Sequence, residues 1–233
     1  MKSFLDALET KIIEDYRQDK EVKKGKVEGY YPSKASVKLF SGEVVGECLR
    51  KLYYEYTKEP ESDPIPLKAL YKFGMGKAIH VWFLNMLGKF VETEVEVKFK
   101  EEGLSKEIRG RMDGTNKDSI LEFKTTWGMG FNIAELPKRE HILQARIYQK
   151  LTHLVTGIWK RIELVYLARD SANRASYQIE DTNHTELTYD NAVSRWKELD
   201  TSLQTKSIPE RDFKEKSWQC RYCAFRGTCW NGN

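Results

Sequence analysis

The sequence lacks the features of a membrane-spanning or secreted protein. No apolar run among its 233 residues approaches the ~20 residues that a transmembrane helix requires, and the stretch Met1–Leu5 lacks the apolar core of a signal peptide. It also lacks an internal repeat and a Gly-x4-Gly-Lys-Ser/Thr phosphate loop, which argues against a solenoid and against ATP hydrolysis by the chain itself. We therefore expect a cytoplasmic protein that is neither a solenoid nor an ATPase.

The composition is that of an ordered globular protein. Apolar residues make up 40% of the chain and charged residues 32%, so there is enough of both for a core and a polar surface. The length suits one substantial domain. A net charge of +4 and a pI near 8.7 permit a nucleic-acid partner without requiring one.

Cysteine is scarce and unevenly placed. Cys48 stands alone, whereas Cys220, Cys223 and Cys229 form a Cys-x2-Cys-x5-Cys run near the C-terminus. Four thiols in a reducing compartment favour a metal site over disulfides, and a four-thiolate site suits zinc or an iron-sulfur cluster. The one-plus-three spacing is closer to cluster ligation, with zinc and free buried cysteines as the alternatives. A metal here would join the two ends of the chain.

Hydrophobic periodicity predicts both helices and strands. Strict alternation from Val91 to Lys100 is typical of a half-buried strand, and a hairpin follows around Asn116–Ser119. The polar stretch Gln18–Gly29 is predicted as a loop. The patterns predict further strands over 161–168 and 175–180, and helices over 3–19, 41–56, 67–89, 138–154 and 187–204.

The hairpin carries the most chemistry. Asp113 ends one predicted strand, and Glu122 and Lys124, two residues apart on the next strand, share one face. Carboxylates are preferred ligands of Mg²⁺ and Mn²⁺, and a lysine beside them can orient a water or offset charge on a phosphate. The pattern fits metal-dependent phosphodiester hydrolysis, although charged residues also flank many ordinary hairpins.

Other polar side chains could complete such a site. His80 lies on the third predicted helix, where a lone histidine is more often a core residue than a ligand. On the later helix, His141, Gln144 and Tyr148 form one polar stripe opposite an apolar stripe. A polar stripe is ordinarily solvent-facing, but a glutamine and a tyrosine one turn apart can also reach a phosphate or steady a lysine.

The order of these motifs resembles a known family. Cys, Gly-x3-His, Gly-Arg-x-Asp, Glu-x-Lys, Gln-x3-Tyr and Cys-x2-Cys-x5-Cys follow one another as in the RecB-like nucleases of the PD-(D/E)XK superfamily. More narrowly, the chain resembles the CRISPR-associated exonucleases of the fourth Cas family. The resemblance spans Cys48 to Cys229, and one departure is that Met112, not proline, precedes Asp113.

The resemblance implies a fold and a set of roles. The fold would be α/β and restriction-endonuclease-like, with a mixed sheet flanked by helices in one domain over 1–233. Its parts would be a helical region over about 1–90, a nuclease core over about 91–180 and a cluster-binding tail over about 205–233. Lys124 would be the catalytic lysine. The implied metal ligands are His80, Asp113, Glu122 and the backbone carbonyl of Phe123, the supporting residues Gln144 and Tyr148, and the [4Fe-4S] ligands Cys48, Cys220, Cys223 and Cys229.

The implied activity is Mg²⁺- or Mn²⁺-dependent exonucleolytic hydrolysis of single-stranded DNA or overhangs. The resemblance places it in CRISPR spacer acquisition, with an integrase complex or a helicase as a partner. A viral, recombination or repair nuclease of the same superfamily is one alternative, because chemistry does not record biological context. A non-catalytic adaptor that binds DNA ends is another.

Overall fold

Helices and strands alternate along most of the chain. The computed structural model describes residues 4–24, 28–63, 65–127, 131–132, 135–171, 173–179 and 185–231. Within these ranges, no helix is long and apolar enough to cross a membrane. The helices are α1 (Phe4–Lys24), α2 (Leu49–Thr57), α3 (Leu67–Leu87), α4 (Arg139–Thr156), α5 (Tyr189–Thr205), α6 (Trp218–Arg221) and α7 (Arg226–Asn231), with a 3-10 turn at Pro32–Lys34.

Most of the strands form one mixed sheet. The strands are β1 (Gly29–Tyr30), β2 (Ser36–Lys38), β3 (Val44–Gly46), β4 (Glu92–Phe99), β5 (Glu107–Thr115), β6 (Ser119–Thr126), β7 (Arg161–Ala168) and β8 (Arg174–Ile179). The large sheet has the order β1-β5-β6-β7-β8, with β4 on the other edge of β5, and β2 and β3 form a separate hairpin. The expected mixed sheet flanked by helices is therefore confirmed.

The sheet divides beside β5. Strand β4 pairs with β5 from Glu92 opposite Thr115 to Phe99 opposite Ile108. On the other edge, β6 pairs with β5 at only two positions, Gly114 with Leu121 and Thr115 with Ile120, and then leaves to follow β7. Strand β1 meets the same edge at Glu107 and Ile108. Among the described residues, no strand occupies this edge from Arg109 to Asp113, and we call the opening the fork.

Helices α3 and α4 cover opposite faces of β6. The ring of Phe123 stacks on Phe83 of α3, with ring centroids 3.7 Å apart, whereas the neighbouring Lys124 bonds Gln144 of α4. Successive side chains of a strand point to opposite faces, so the two helices lie on different sides of the sheet. The predicted apolar stripe of α4 is buried at Leu143, Ile147 and Leu151. Both faces of the fork are thus enclosed by helices.

Two predictions about the N-terminal region are wrong. The helix predicted over 41–56 begins only at Leu49, because Gly42 and Gly46 have left-handed φ angles of 83° and 101° and residues 44–46 form a strand. Cys48 therefore precedes α2 as its N-cap instead of lying inside a helix. The predicted loop over 18–29 is helical through Lys24, since lysine, glutamate and glutamine are good helix formers. Glu180, the last residue of a predicted strand, lies outside the described residues.

The C-terminal tail is fastened to α2 beside Cys48. Asp212 accepts a hydrogen bond from the Leu49 N–H at 2.6 Å, which satisfies a free donor of the first turn of α2. The Arg195 guanidinium holds the same carboxylate through two bonds of 2.7 and 2.8 Å, and both side chains are buried. Arg50 also donates to the Pro209 carbonyl at 2.6 Å. These bonds bring the tail and Cys48 together without any metal.

Replacing Asp212 with alanine should lower the free energy of unfolding by about 3 kcal/mol, because it leaves the buried Arg195 without its main partner. Urea denaturation measures this loss. Glu210→Ala, an exposed change in the same tail, is the matched control and should alter stability by less than about 0.5 kcal/mol. Equal effects of the two substitutions would contradict this role of Asp212.

Candidate active site at the fork

Side chains replace the missing strand at the fork. Phe123 N–H, which a continued β5–β6 ladder would pair with backbone, donates instead to Asp113 Oδ2 at 2.7 Å. The Tyr148 hydroxyl accepts from Arg111 N–H at 3.2 Å and donates to the Arg111 carbonyl at 3.1 Å. Buried backbone groups need partners, so these two side chains allow the strands to separate. The same bonds fix Asp113 and Tyr148 in the opening.

Glu122 and Lys124 meet Gln144 on the α4 side of the fork. The Lys124 ammonium donates to Glu122 Oε2 and to Gln144 Oε1, each at 2.9 Å. Glu122 is 1% exposed, and its Oε1 is buried with no hydrogen-bond partner. Burial raises the pKa of Glu122 to about 7, although the Lys124 charge opposes the rise. A buried carboxylate with an unsatisfied oxygen is costly, and a cation would offset that cost.

His80 reaches Asp113 from the α3 side. Its Nε2 lies 3.1 Å from Asp113 Oδ1, and this hydrogen bond raises the pKa of His80. Gly76, one turn earlier on α3, allows a close approach to the sheet, since a Cβ there would lie 3.3 Å from Arg169 Nη1 and 3.4 Å from Thr125 Oγ1. Close packing therefore accounts for the glycine of the Gly-x3-His motif.

The polar stripe of α4 faces the protein interior. Tyr148 is 3% exposed, so the solvent-facing alternative for this stripe is wrong. His141 Nδ1 lies 2.7 Å from the Tyr166 hydroxyl, which also accepts from Lys138 N–H. Burial lowers the pKa of His141 to about 3, so the ring is neutral at pH 7 and pairs with the Tyr166 hydroxyl through Nδ1. His141 thus orients Tyr166.

Sequence reasoning gave no role to Gly110, although it stands in the Gly-Arg-x-Asp motif. A Cβ at Gly110 would lie 2.3 Å from Tyr148 Cε1, closer than side-chain atoms approach one another. Only glycine therefore lets Tyr148 lie across β5 and bond Arg111. The available signal was a glycine in the interior of a strand, which often marks a close approach of another group.

The fork opens into a cleft of about 630 Å³. Its wall carries His80, Asp113, Gln144 and Tyr148, together with Arg109 and Arg111 from the free edge of β5. Residues Tyr31–Ser33 bound it near Arg109. Four of the sequence-predicted site residues therefore line one cleft. Lys124 adjoins it through its bond to Gln144, and Glu122 adjoins it through its bond to Lys124 and the neighbouring Phe123–Asp113 bond.

The site has the donors for a divalent cation. In the described part of the chain, no three or more His, Cys, Asp and Glu side chains are arranged to hold an ion as they stand. At the fork the reason is that His80 and Asp113 bond each other and Glu122 bonds Lys124. One imidazole nitrogen and two carboxylates suit Mg²⁺ or Mn²⁺, and the unpartnered Oε1 of Glu122 offers a buried ligand atom.

The four cysteines surround one small cavity. All four thiols are unbridged, and they line the cavity together with the aromatic rings of Tyr54, Phe225 and Trp230. Burial raises the pKa of Cys48 to about 11, and Arg50 Nη1 lies 3.9 Å from Cys229 Sγ as a donor. A metal would have to displace the Cys48 proton, as thiolate ligation always requires. Four sulfur donors are the residue types of a zinc site or an iron-sulfur cluster, although in the described residues they are not grouped to hold a metal as they stand.

Comparison with known proteins decides the family. Residues 74–230, about two thirds of the chain, match the family model of the PD-(D/E)XK nuclease superfamily. The chain belongs to the PD-(D/E)XK nuclease superfamily. As a member it is a hydrolytic nuclease with DNA as its substrate, and nucleases of this superfamily typically use divalent metals such as Mg²⁺ or Mn²⁺.

A solved structure agrees with the fold of this PD-(D/E)XK nuclease. The crystal structure of SSO0001 superposes with a TM-score of 0.59 at 21% identity, covering 98% of this chain and 97% of that one. A "Putative exonuclease" from Eubacterium rectale gives a TM-score of 0.40 at 12% identity, covering 57% of this chain and 52% of that one. No curated protein sequence matches the chain.

Replacing Tyr148 with phenylalanine should lower the free energy of unfolding by about 1–3 kcal/mol, because Arg111 N–H and C=O lose their partner at the fork. Chemical denaturation measures the change. Tyr177→Phe is the matched control, since the Tyr177 hydroxyl is buried without a hydrogen-bond partner and its removal should cost nothing. A Tyr148→Phe protein as stable as Tyr177→Phe would contradict the role of Tyr148.

Proposed function

We propose that this PD-(D/E)XK nuclease is a Mg²⁺- or Mn²⁺-dependent exonuclease that degrades single-stranded DNA or overhangs. The observation that carries the proposal is the buried carboxylate of Glu122, which has one oxygen on Lys124 and one without a partner. Asp113 and His80 stand in the adjoining cleft. A stable fold gains nothing from a buried unsatisfied carboxylate, whereas a metal-dependent hydrolase needs one.

Each residue then has a role. Asp113, Glu122, His80 and the carbonyl of Phe123 would hold the metal, which would supply a water of lowered pKa and a Lewis acid for the phosphate. Lys124 is the catalytic lysine, whose ammonium orients the attacking water or offsets phosphate charge. Gln144 fixes that ammonium by accepting from it at 2.9 Å. Tyr148 keeps β5 in place and so keeps Asp113 at the fork.

The size of the cleft supports a single-stranded substrate. Its volume of about 630 Å³ lies in the range of small-ligand pockets and suits a short length of one strand. The wall combines side chains of α3 and α4 with the free edge of β5. Such a site contacts the phosphate backbone and not the base edges, so we expect little sequence preference.

We further propose that Cys48, Cys220, Cys223 and Cys229 hold a [4Fe-4S] cluster that joins α2 to the tail. The support is the one-plus-three spacing, the shared cavity and the aromatic shield around it. The motif order supports a role in CRISPR spacer acquisition beside an integrase complex or a helicase. The complete set of hydrolytic residue types favours this over the adaptor alternative, which needs none of them.

Replacing Glu122 with glutamine should lower the rate of single-stranded DNA cleavage in Mn²⁺ at least about 100-fold, because a ligand charge is lost at the reacting phosphate. Lys124→Ala should cause a similar loss. The glutamine variant should fold at least as stably, since burial already disfavours the Glu122 charge. End-labelled oligonucleotide assays and denaturation curves measure both properties.

The matched controls are Glu210→Gln and Lys197→Ala, exposed residues of the C-terminal tail and of α5 that do not line the cleft. Both controls should cleave DNA at the unsubstituted rate. Undiminished cleavage by Glu122→Gln and Lys124→Ala would refute the site, and DNA binding without hydrolysis by the unsubstituted protein would favour the adaptor.

Anaerobically purified protein should contain about four iron and four acid-labile sulfide atoms per chain, as a [4Fe-4S] cluster requires. Cys223→Ala should lower both, because it removes one ligand from the cavity. Iron, sulfide and zinc assays with visible absorption spectra measure this. One zinc atom per chain without sulfide would show that the four cysteines hold zinc and not a cluster.

A further inference from the structure

Glu94 has a backbone conformation that its position in a strand does not explain. Its φ angle is +59°, in the left-handed region that side chains other than glycine rarely adopt. The other described non-glycine residues with positive φ, Lys58 and Lys206, are C-caps of α2 and α5, where this conformation is ordinary. Glu94 lies in the middle of β4. Strained backbone of this kind is concentrated at functional sites.

The strained residue faces the proposed metal ligand Asp113. The β4–β5 pairing runs from Glu92 opposite Thr115 to Phe99 opposite Ile108, and the one position missing from it is Glu94 opposite Asp113. The departure from regular strand geometry is therefore confined to the point where β5 carries its acid. Glu94, Asp113 and Arg111 all line the cleft.

Glu94 holds a cation beside Asp113. Its Oε2 lies 2.7 Å from Nη1 of Arg111, and the two side chains are 41% and 61% exposed. An ion pair this exposed contributes little to stability, so it does not account for the strain. Arg111 precedes Asp113 by two residues and so points to the same side of β5, about 7 Å along the strand.

We propose that Arg111 binds the phosphate next to the one that is cleaved, and that Glu94 is the positioning residue that fixes the Arg111 guanidinium in the cleft. This proposal rests on the proposed function. A guanidinium presents a planar fork of donors that matches phosphate oxygens. The Arg111 guanidinium lines the cleft, two residues along β5 from the proposed metal ligand Asp113. The DNA strand therefore runs along β5 from Asp113 toward Arg109.

Binding of a labelled single-stranded oligonucleotide without divalent metal tests the role of Arg111. Arg111→Ala should weaken binding about tenfold or more. The slope of log affinity against log salt should become less steep by about 0.7, the value for one phosphate contact to a single strand. Arg111→Lys should restore the slope and only part of the affinity. Lys197→Ala, the control at an exposed lysine of α5 outside the cleft, should match the unsubstituted protein. Equal affinities and slopes for Arg111→Ala and Lys197→Ala would overturn the proposal, as would failure of the unsubstituted protein to bind.

Glu94→Gly tests positioning separately from charge. Removing a carboxylate should leave DNA binding as tight or tighter, yet single-turnover cleavage in Mn²⁺ should slow about tenfold or more because Arg111 is no longer fixed. The melting temperature should not fall, since glycine adopts positive φ freely. Glu92→Gly, at a regular position of β4 opposite Thr115 and outside the cleft lining, should lose stability and retain its cleavage rate. An unchanged cleavage rate for Glu94→Gly would overturn the positioning role.

The two proposals fail in different ways. If the unsubstituted protein binds single strands through Arg111 but does not hydrolyse them in Mn²⁺, the nuclease activity is refuted and the phosphate contact stands. If it hydrolyses them while Arg111→Ala binds with unchanged affinity and salt slope, the phosphate contact is refuted and the activity stands.

Discussion

The separation of β6 from β5 after two residue pairs creates backbone groups that the sheet no longer satisfies, and the site consists of the side chains that satisfy them. Asp113 accepts the Phe123 N–H, and Tyr148 takes both polar groups of Arg111. These bonds also join the acid of β5 to the strand that carries Glu122 and Lys124. Tyr148 can lie there only because residue 110 is glycine. The bonds that stabilise the fork are therefore the same bonds that assemble the site.

The electrostatics of the fork favour cation binding at a cost to the apo protein. Glu122 is almost fully buried, its pKa is raised by burial, and one of its oxygens has no partner. Lys124 offsets part of that cost and is itself fixed by Gln144. The strain at Glu94 is a second local cost, next to Asp113. Both costs lie in or beside one cleft of a nuclease fold, as expected where function and not stability selects the residues.

The sequence predicted which side chains meet at the fork better than it predicted the N-terminal third of the fold. Alternation located β4 and β7, and residue type and spacing singled out the acids, the lysine and the α4 stripe. Gly42 and Gly46 adopt positive φ angles that a helix does not allow, and residues 44–46 form a strand. The helical spacing of the apolar residues did not reveal this. The role of Gly110 depends on Tyr148, 38 positions later in the chain, and the strain at Glu94 depends on the β4–β5 register. Local patterns do not contain such long-range contacts.

The central claim is that the fork is a metal site assembled from both sides of the sheet. A crystal grown with Mn²⁺ and measured at the manganese absorption edge tests it most directly. We expect an anomalous peak within ligand distance of Asp113, the free oxygen of Glu122 and His80, with Lys124 still bonded to Gln144. Manganese bound elsewhere while Glu122 stays on Lys124 with its other oxygen unligated would contradict it.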